Sequence, residues 1–204
     1  MTLAGFVSVA LIHLLAAISP GPSFVLSVRS AASEGLRTAM GLAVGFGLAA
    51  TLWAAAALLG LSLLFEVVPA LFTALKVVGG LFLIYIAWKM WQHASEPLPV
   101  IAEGTAPRSV VGAVWLGLVA MLANPKPAVF FGAVFVGLVP VEASLADKLF
   151  VLFNIFWVET AWYMIVARVF SLPRARTAYS RFKSKLDRSF GGLIAALGAK
   201  IAIT

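Results

Sequence analysis

The chain has 204 residues, of which 62% are hydrophobic and 11% charged, and it carries a formal net charge of +7. Soluble domains are about half apolar and a quarter charged, so this composition, with a mean hydropathy of +1.04, predicts an integral membrane protein. The apolar runs are continuous rather than alternating, which favours helices over a barrel. The absence of cysteine excludes disulfides, thiolate metal sites and thiol redox chemistry.

A membrane-spanning helix needs roughly 20 mostly apolar residues, and the sequence predicts six such spans. They cover about residues 3–27, 38–65, 71–91, 109–139, 148–170 and 190–204, the last of which is short. We therefore predict an all-α integral membrane protein that forms one transmembrane domain over residues 1–204. Its half-repeats are about 1–92 and 109–204, and a polar cytoplasmic linker, 93–108, joins them.

The distribution of basic residues predicts how the chain is oriented. When Lys89, Lys148 and Arg168 at the span ends are counted with the loops beside them, the loops after spans one, three and five hold two, two and seven Lys and Arg residues, whereas those after spans two and four hold none and one. Because Lys and Arg accumulate in cytoplasmic loops, we expect the odd-numbered loops to be cytoplasmic and both termini to face outside. With three spans in each half, the two halves are then antiparallel, which predicts an inverted 3+3 repeat.

Spans one and four are each interrupted by prolines at a similar depth. The first interruption comprises Ser19, Pro20, Gly21, Pro22 and Ser23, and the second comprises Asn124, Pro125, Lys126 and Pro127. Proline removes a backbone donor and breaks a helix, and a broken helix in hydrocarbon needs protein or a water-filled cavity to satisfy its backbone groups. Paired interruptions of this kind are typical of a transporter binding site, although each can also be a structural kink.

The residues at the two breaks predict anion binding. Ser and Asn favour helix N-caps and Pro favours the first helical position, so Ser19-Pro20 and Asn124-Pro125 both predict a helix that restarts inside the membrane. A restarted helix offers free N–H groups and a positive dipole end to a carboxylate, and Lys126 adds a full charge. We therefore predict substrate binding by residues 19–23 and by Asn124, Pro125 and Lys126.

Two other polar residues are candidates for substrate binding or proton coupling. Glu159 lies within span five, where an ionisable group usually faces a cavity or a partner. It is predicted to hold a substrate ammonium or to carry the coupling proton; the alternatives are an ion pair with Lys126 or a neutral, hydrogen-bonded acid. His13 lies seven residues before Pro20, two turns away on one side of the helix. It is a proton-relay candidate, although a lone histidine in a membrane more often bonds a neighbouring helix.

The remaining features predict partners and exclude other classes. No G-x-S-x-G or H-E-x-x-H motif occurs, and two histidines without cysteine make a poor metal site, so we predict no enzyme, no cofactor and no metal. The basic run 174–188 indicates contact with membrane lipids rather than nucleic acid. Small faces at Gly41 and Gly45 and at Gly191 and Gly192 suit close helix contact, either within one chain or in a homodimer.

Several motifs in order carry a family resemblance. They are residues 19–22 in span one, 71–80 and 85–89 in span three, 124–126 in span four, Val158 with Glu159 and Trp162 in span five, and 191–200 in the closing span. In these motifs the chain resembles the LysE/RhtB family of amino-acid exporters over nearly its whole length. It departs from the family at Ala50, where many members carry an acidic residue, which weakens any inference of a cation role for span two.

The resemblance implies a secondary transporter that exports amino acids or small derivatives across the bacterial inner membrane, driven by the proton gradient. Two alternatives remain open from the residues. One is a transporter for another small solute or a cation, against which the near isolation of Glu159 as an intramembrane carboxylate argues. The other is a membrane assembly subunit that transports nothing, in which the breaks serve packing.

Overall fold

The computed structural model describes residues 1–19, 21–58, 69–96, 107–135, 138–140 and 142–203. Over these ranges the chain forms helices and no strand, which agrees with the all-α prediction. The helices are α1 Leu3–Ile18, α2 Pro22–Ser33, α3 Leu36–Ala56, α4 Pro69–Gln92, α5 Val110–Leu122, α6 Pro125–Val129, a π-helix Phe130–Phe135, α7 Leu145–Phe170 and α8 Pro173–Ile203.

Within the described ranges, two single helices and two bent helix pairs are long and apolar enough to cross a membrane. The single helices are α3 and α7. The first bent pair is α1 with α2, which meet at 66°, and the second is α5 with Lys126–Gly132, which meet at 59°. The bends fall at the two predicted interruptions. The full six-span arrangement remains a prediction, because length and composition give two candidate spans in the described ranges, or four if each bent pair is one span.

Side-chain caps explain where several helices begin. Ser109 Oγ accepts a hydrogen bond from the Gly112 N–H at 3.1 Å, at the start of α5. Ser144 Oγ accepts from the Asp147 N–H at 3.1 Å, at the start of α7. Each bond satisfies an N–H that has no partner within the helix. Because Ser144 caps the helix, α7 begins three residues before the predicted start of span five.

Other boundaries also differ from those predicted. The helix after the first break continues to Ser33 rather than ending near residue 27. Arg29 is exposed, so its charge can be part of the helix without being buried. The turn to α3 is then only Glu34 and Gly35, and Gly35 adopts a φ of 89°, which favours glycine. The end predicted for span two lies in residues 59–68, and most of the predicted linker lies in residues 97–106, both outside the described ranges.

The basic segment before span six is helical, not a loop. Helix α8 runs without interruption from Pro173 to Ile203, so the predicted sixth span is its second half. Its first half is anchored by Lys183, whose Nζ bonds the Asp187 carboxylate at 2.8 Å and the His93 carbonyl oxygen at 3.0 Å. This part of α8 therefore packs on the end of α4 instead of extending into solvent.

Three of the four glycines expected to make close contacts do so within one chain, whereas a Cβ added at Gly192 meets no described atom within 4 Å. Helices α3 and α5 pack closely: a Cβ added at Gly41 would lie 2.9 Å from the Val110 carbonyl oxygen, and one at Gly45 would lie 2.8 Å from the Leu118 nitrogen. A Cβ at Gly191 would lie 2.5 Å from Trp91. These glycines serve packing inside the protomer, so the homodimer stays a prediction without their support.

The helix directions place two sets of charged residues at opposite ends of the molecule. Helices α3 and α7 pack antiparallel, since Leu36 at the start of α3 lines one groove with Arg168 near the end of α7. Glu34 pairs with Arg108 at 3.1 Å at this same end. The Met1 ammonium pairs with Asp147 at 2.8 Å at the start of α7, which is the other end. Residues Glu34, Arg108 and Arg168, which belong to or border the loops counted as cytoplasmic, thus lie at one end.

Candidate functional site

The two proline breaks meet each other in the folded chain. Lys126 Nζ donates a hydrogen bond to the Ser19 carbonyl oxygen at 2.7 Å. Asn124 Nδ2 donates to Ser23 Oγ at 3.0 Å, and Ser23 donates in turn to Met121 Sδ at 3.2 Å. Residues a hundred positions apart in the sequence therefore form one polar cluster, in which the second break satisfies a carbonyl that the first leaves free.

The helix that follows the first break begins later than predicted. Helix α2 starts at Pro22 with Gly21 as its N-cap, while Ser19 caps the C-terminus of α1. Gly21 has no side chain that can accept a hydrogen bond, so no side chain caps α2. With two prolines two positions apart, either one can open the helix, and here the second does.

The second break follows the prediction. Asn124 is the N-cap of α6 and Pro125 its first residue, and Asn124 Oδ1 accepts from the Lys126 N–H at 3.1 Å. This N-terminus is therefore satisfied by its own side chain. Positive charge from this break comes mainly from the Lys126 ammonium, which lies close to Gly21: a Cβ added there would be 3.8 Å from Nζ.

A small cavity lies beside this cluster, and the other two candidate residues, His13 and Glu159, also line it. It encloses about 30 Å³, room for about one or two water molecules. Its walls come from α1, α2, α5, α6, the π-helix and α7. The residues that line it with polar side chains are His13, Ser23, Asn124, Lys126, Glu159 and Tyr163, and Gly21 exposes its backbone beside them.

His13 and Glu159 face each other across this cavity region. His13 Nε2 lies 3.0 Å from Glu159 Oε2, and the two side chains are 3% and 2% exposed. The angle between the groups does not suit a hydrogen bond, and both His13 nitrogens and Glu159 Oε1 have no hydrogen-bond partner among the described residues. Burying ionisable groups without hydrogen-bond partners is costly, so these atoms are candidates to bind a polar or cationic group. His13, not Lys126, is thus the contact partner of Glu159.

Not every predicted binding residue reaches the cavity. Ser19 contributes its carbonyl oxygen to Lys126, and its hydroxyl donates to Met90 Sδ at 3.6 Å. Pro22 is exposed and starts α2. Pro20 lies outside the described residues, and Pro125 is placed only through its backbone position. Pro22 thus begins a helix instead of lining the site, whereas Pro127 of the second break lines the cavity.

Some cavity residues were missed by sequence reasoning. Tyr163 is buried and lies four residues after Glu159, one turn further along the same helix face, so helical spacing would have found it. Phe130 and Phe131 pack around His13, with ring centroids 5.7 and 5.5 Å from the imidazole. They follow Lys126 by four and five residues in an apolar run, where no sequence signal separates them from lipid-facing phenylalanines.

Together these groups suit a small zwitterion. The cavity presents one ammonium, from Lys126, and one carboxylate, from Glu159, in surroundings that are otherwise mostly apolar. Charge–charge interactions are much stronger in such surroundings than in water. A ligand that carries both signs of charge can therefore be held at both ends.

Comparison with known proteins places the chain in a family. The family model described as LysE type translocator matches residues 14–204. The threonine efflux protein of Escherichia coli (strain K12) is 34% identical over 206 residues, which cover 98% of each chain. The leucine efflux protein of Enterobacter sp. (strain 638) is 25% identical over 179 residues, or 87% of this chain and 83% of that protein.

No solved structure matches the chain. The family match and the identity to the threonine efflux proteins span almost every residue, and they confirm the resemblance seen in the five motifs. They also confirm that the chain is a transporter rather than an enzyme. The chain belongs to the LysE type translocator family.

Proposed function

We propose that the chain is a secondary transporter that exports amino acids across the bacterial inner membrane in exchange for protons. The observation that carries this proposal is the buried cavity in which Lys126 and Glu159 supply opposite charges. Free α-amino acids carry an ammonium and a carboxylate on the same α-carbon, so their two charges complement such a site. The relatives named as threonine and leucine efflux proteins support the same class of cargo.

The substrate carboxylate binds at the first break. Helix α2 has twelve residues and no side-chain cap, so its first N–H groups and its dipole favour an anion. Lys126 Nζ lies beside Gly21 and already holds the Ser19 carbonyl oxygen. Because an ammonium has three donors, it can keep that bond and also donate to a carboxylate.

The substrate ammonium binds at Glu159, which also carries the exchanged proton. Glu159 Oε1 has no hydrogen-bond partner in the described part of the chain, so it is available to an incoming N–H. When a proton occupies the pair formed by His13 and Glu159, the net negative charge that attracts the ammonium is lost. Substrate and proton therefore compete for one pair, which yields exchange of one for the other.

The direction of export follows from this competition. On the cytoplasmic side, where the proton concentration is lower, the pair loses its proton and binds an amino acid. On the outer side, where protons are more abundant, protonation displaces the amino acid. The charged group that lines the cavity beside the pair is Lys126 from α6, and the neutral Tyr163 from α7 also lines it; the pair itself spans α1 and α7.

Transport requires the helices around the cavity to separate. A space of about 30 Å³ does not hold an amino acid, so the structure represents a closed state. An inverted 3+3 repeat provides the movement by rocking one half against the other. The packing supports it: α3 with α5 and α7 with α1 are equivalent pairs in such a repeat, and both are in contact.

The basic end of the molecule faces the cytoplasm in this proposal. Arg37, Arg108, Arg168 and the first half of α8 lie at one end, and Asp147 lies at the other. Both termini are then outside. Cysteine introduced at residue 2 or 203 of this cysteine-free chain should react with an impermeant reagent added outside. Labelling only after access to the cytoplasm would reverse the orientation.

Reconstitution tests the transport proposal. Purified protein in liposomes loaded with a mixture of the twenty amino acids should release a subset of them when the opposite compartment is made acidic. The release should stop when the pH gradient is collapsed. If no amino acid leaves under any gradient, the proposal fails, and the breaks are packing features of an assembly subunit.

A further inference from the structure

We infer that the substrate's side chain binds in a second, apolar cavity next to Lys126, so that the exporter selects amino acids with uncharged aliphatic side chains. This inference rests on the proposed function, because it takes the α-carboxylate to lie at Lys126. It adds what that function leaves open, namely which part of the protein reads the side chain.

The second cavity lies between α1, the α6 region and α8. It encloses about 100 Å³, more than three times the volume of the polar cavity. Its apolar walls are formed mainly by Ile12 and Leu15 from α1, Phe130 from the π-helix, and Phe190, Leu193 and Ile194 from α8. Leu15 and Leu193 are 48% and 58% exposed, so its outer edge faces the lipid and stays apolar.

The two cavities share a wall. Ala16, Lys126 and Phe130 line both of them, so the Lys126 side chain separates a polar space from an apolar one. A carboxylate bound at Lys126 and an ammonium at Glu159 fix two of the four groups on the α-carbon. The side chain must then leave the polar cavity, and the apolar cavity is the adjoining space.

The volume limits the side chain that fits. An engineered apolar protein cavity of about 150 Å³ takes benzene, with six carbons. By proportion, about 100 Å³ takes roughly four carbons, the size of a leucine side chain. Alanine would leave most of the space empty, and the side chains of phenylalanine and tryptophan would overfill it.

The charges around the second cavity exclude basic and acidic side chains. Lys126 is the charged residue among those that line it, and the lining includes no carboxylate. A lysine or arginine side chain would bring an unpaired cation beside Lys126. A second carboxylate would be buried among leucines and isoleucines with no cation of its own, since Lys126 serves the first. Both arrangements are costly.

Binding across a series of side chains tests the inference. The dissociation constants of purified protein are measured for alanine, 2-aminobutyrate, norvaline, leucine, phenylalanine and lysine. We expect affinity to rise by about fourfold for each added methylene up to a four-carbon side chain, and then to fall. Lysine should bind less tightly than alanine. Affinity that does not depend on the side chain would overturn the inference.

Substitutions in the walls of the second cavity test whether the dependence of affinity on side-chain size arises there. Ile194→Phe and Ile12→Phe fill the space from opposite walls and should weaken leucine binding by up to about sixtyfold, the value of three methylenes, while alanine binding stays within about twofold. Ile194→Ala should improve phenylalanine binding. The matched control is Ile203→Phe, on the same helix and 85% exposed, which should change nothing.

Three outcomes separate this inference from the proposed function. If amino acids bind in proportion to side-chain size but neither filling variant alters that dependence, the side chain lies elsewhere, and only the second cavity is wrong. If native mass spectrometry shows a phospholipid that both filling variants release, with leucine binding unchanged, the cavity holds an acyl chain. If no amino acid binds the wild type, the proposed function fails first.

Discussion

His13 Nε2 lies 3.0 Å from Glu159 Oε2, with both side chains almost completely buried. The two residues belong to α1 and α7, which are in contact along this stretch. Although the two atoms are close, the groups form no hydrogen bond with each other, so both His13 nitrogens and Glu159 Oε1 lack partners among the described residues. Movement of α1 against α7 would separate the two side chains, so their contact depends on how these helices pack.

We expect Glu159→Gln to abolish proton-coupled export while leaving the protein folded and inserted. Glutamine has nearly the same shape but carries no charge, so it neither attracts the substrate ammonium nor exchanges a proton. Amino-acid binding should weaken by roughly tenfold to a hundredfold, the value of one charge-assisted contact, and should lose its pH dependence. The measurements are efflux from liposomes and binding between pH 5 and 8.

His13→Gln separates the two roles proposed for His13 and Glu159, which are binding of the substrate ammonium and exchange of a proton. It retains hydrogen bonding without titration, so binding near neutral pH should stay within a few fold of wild type while the pH dependence shifts. Normal efflux with a normal pH profile in both variants would mean that Glu159 and His13 are structural.

We expect Gly45→Ala to destabilise the packing of α3 on α5. An added methyl group would meet the Val114 carbonyl oxygen and lie 2.8 Å from the Leu118 nitrogen, and backbone atoms cannot move aside as a flexible side chain can. Overpacking of this kind typically costs about 1–3 kcal/mol, so thermal unfolding in detergent should occur at a lower temperature.

The control for this substitution is Gly192→Ala, where an added methyl group meets nothing within 4 Å. Alanine favours a helix more than glycine does, so this variant should be as stable as wild type or slightly more stable. Equal loss of stability in both variants would show that the effect is not close packing.

We expect Asp187→Asn to loosen the first half of α8 from the end of α4. Asp187 is 5% exposed and accepts from Lys183 Nζ at 2.8 Å and, more weakly, from Tyr179 at 3.4 Å. Burial, together with the Asp187 carboxylate, raises the pKa of Tyr179 above its usual range. Removing the carboxylate leaves Lys183 partly buried without its ion-pair partner.

That change should cost about 1–3 kcal/mol and should increase hydrogen exchange at the N-terminal turns of α8. Lys185→Gln is the control, because Lys185 is exposed on the same helix and a lost surface charge costs at most about 1 kcal/mol. A variant as stable as wild type would mean that the cluster does not anchor α8.

The sequence predicted both breaks because proline and glycine act through the local backbone. It placed Asn124 and Pro125 correctly at the start of α6, where one proline follows one capping residue. At the first break two prolines compete, and the sequence favoured Ser19 and Pro20 whereas α2 begins at Pro22. Nothing local distinguishes those two choices.

The sequence did not predict which residues from different helices contact each other. Each candidate at the site was chosen as an ionisable or capping residue in an apolar span, but the pairing of His13 with Glu159 depends on how α1 rotates against α7. The apolar cavity beside Lys126 was likewise not visible, since Ile12 and Ile194 look like any residues that face lipid. Tertiary packing decides both.

Lys126→Met should weaken amino-acid binding far more than it weakens folding. The Lys126 ammonium bonds the Ser19 carbonyl oxygen at 2.7 Å, so its loss frees one acceptor, but the proposed substrate contact is charge-assisted and worth about 1.5–3 kcal/mol. Binding should fall roughly tenfold to a hundredfold. Lys148→Met, near the start of α7, is the control, because Lys148 is not among the residues that line either cavity.

Binding of the substrate amide completes a thermodynamic cycle that combines the Lys126→Met substitution with loss of the substrate's negative charge. An amide lacks the negative charge, so it should bind wild type poorly, and Lys126→Met should cost it little, because both changes remove the same interaction and their effects do not add. The four dissociation constants, for acid and amide with each protein, give the coupling between Lys126 and the carboxylate. A coupling near zero, or an amide that binds wild type as tightly as the acid, would place the carboxylate away from these breaks.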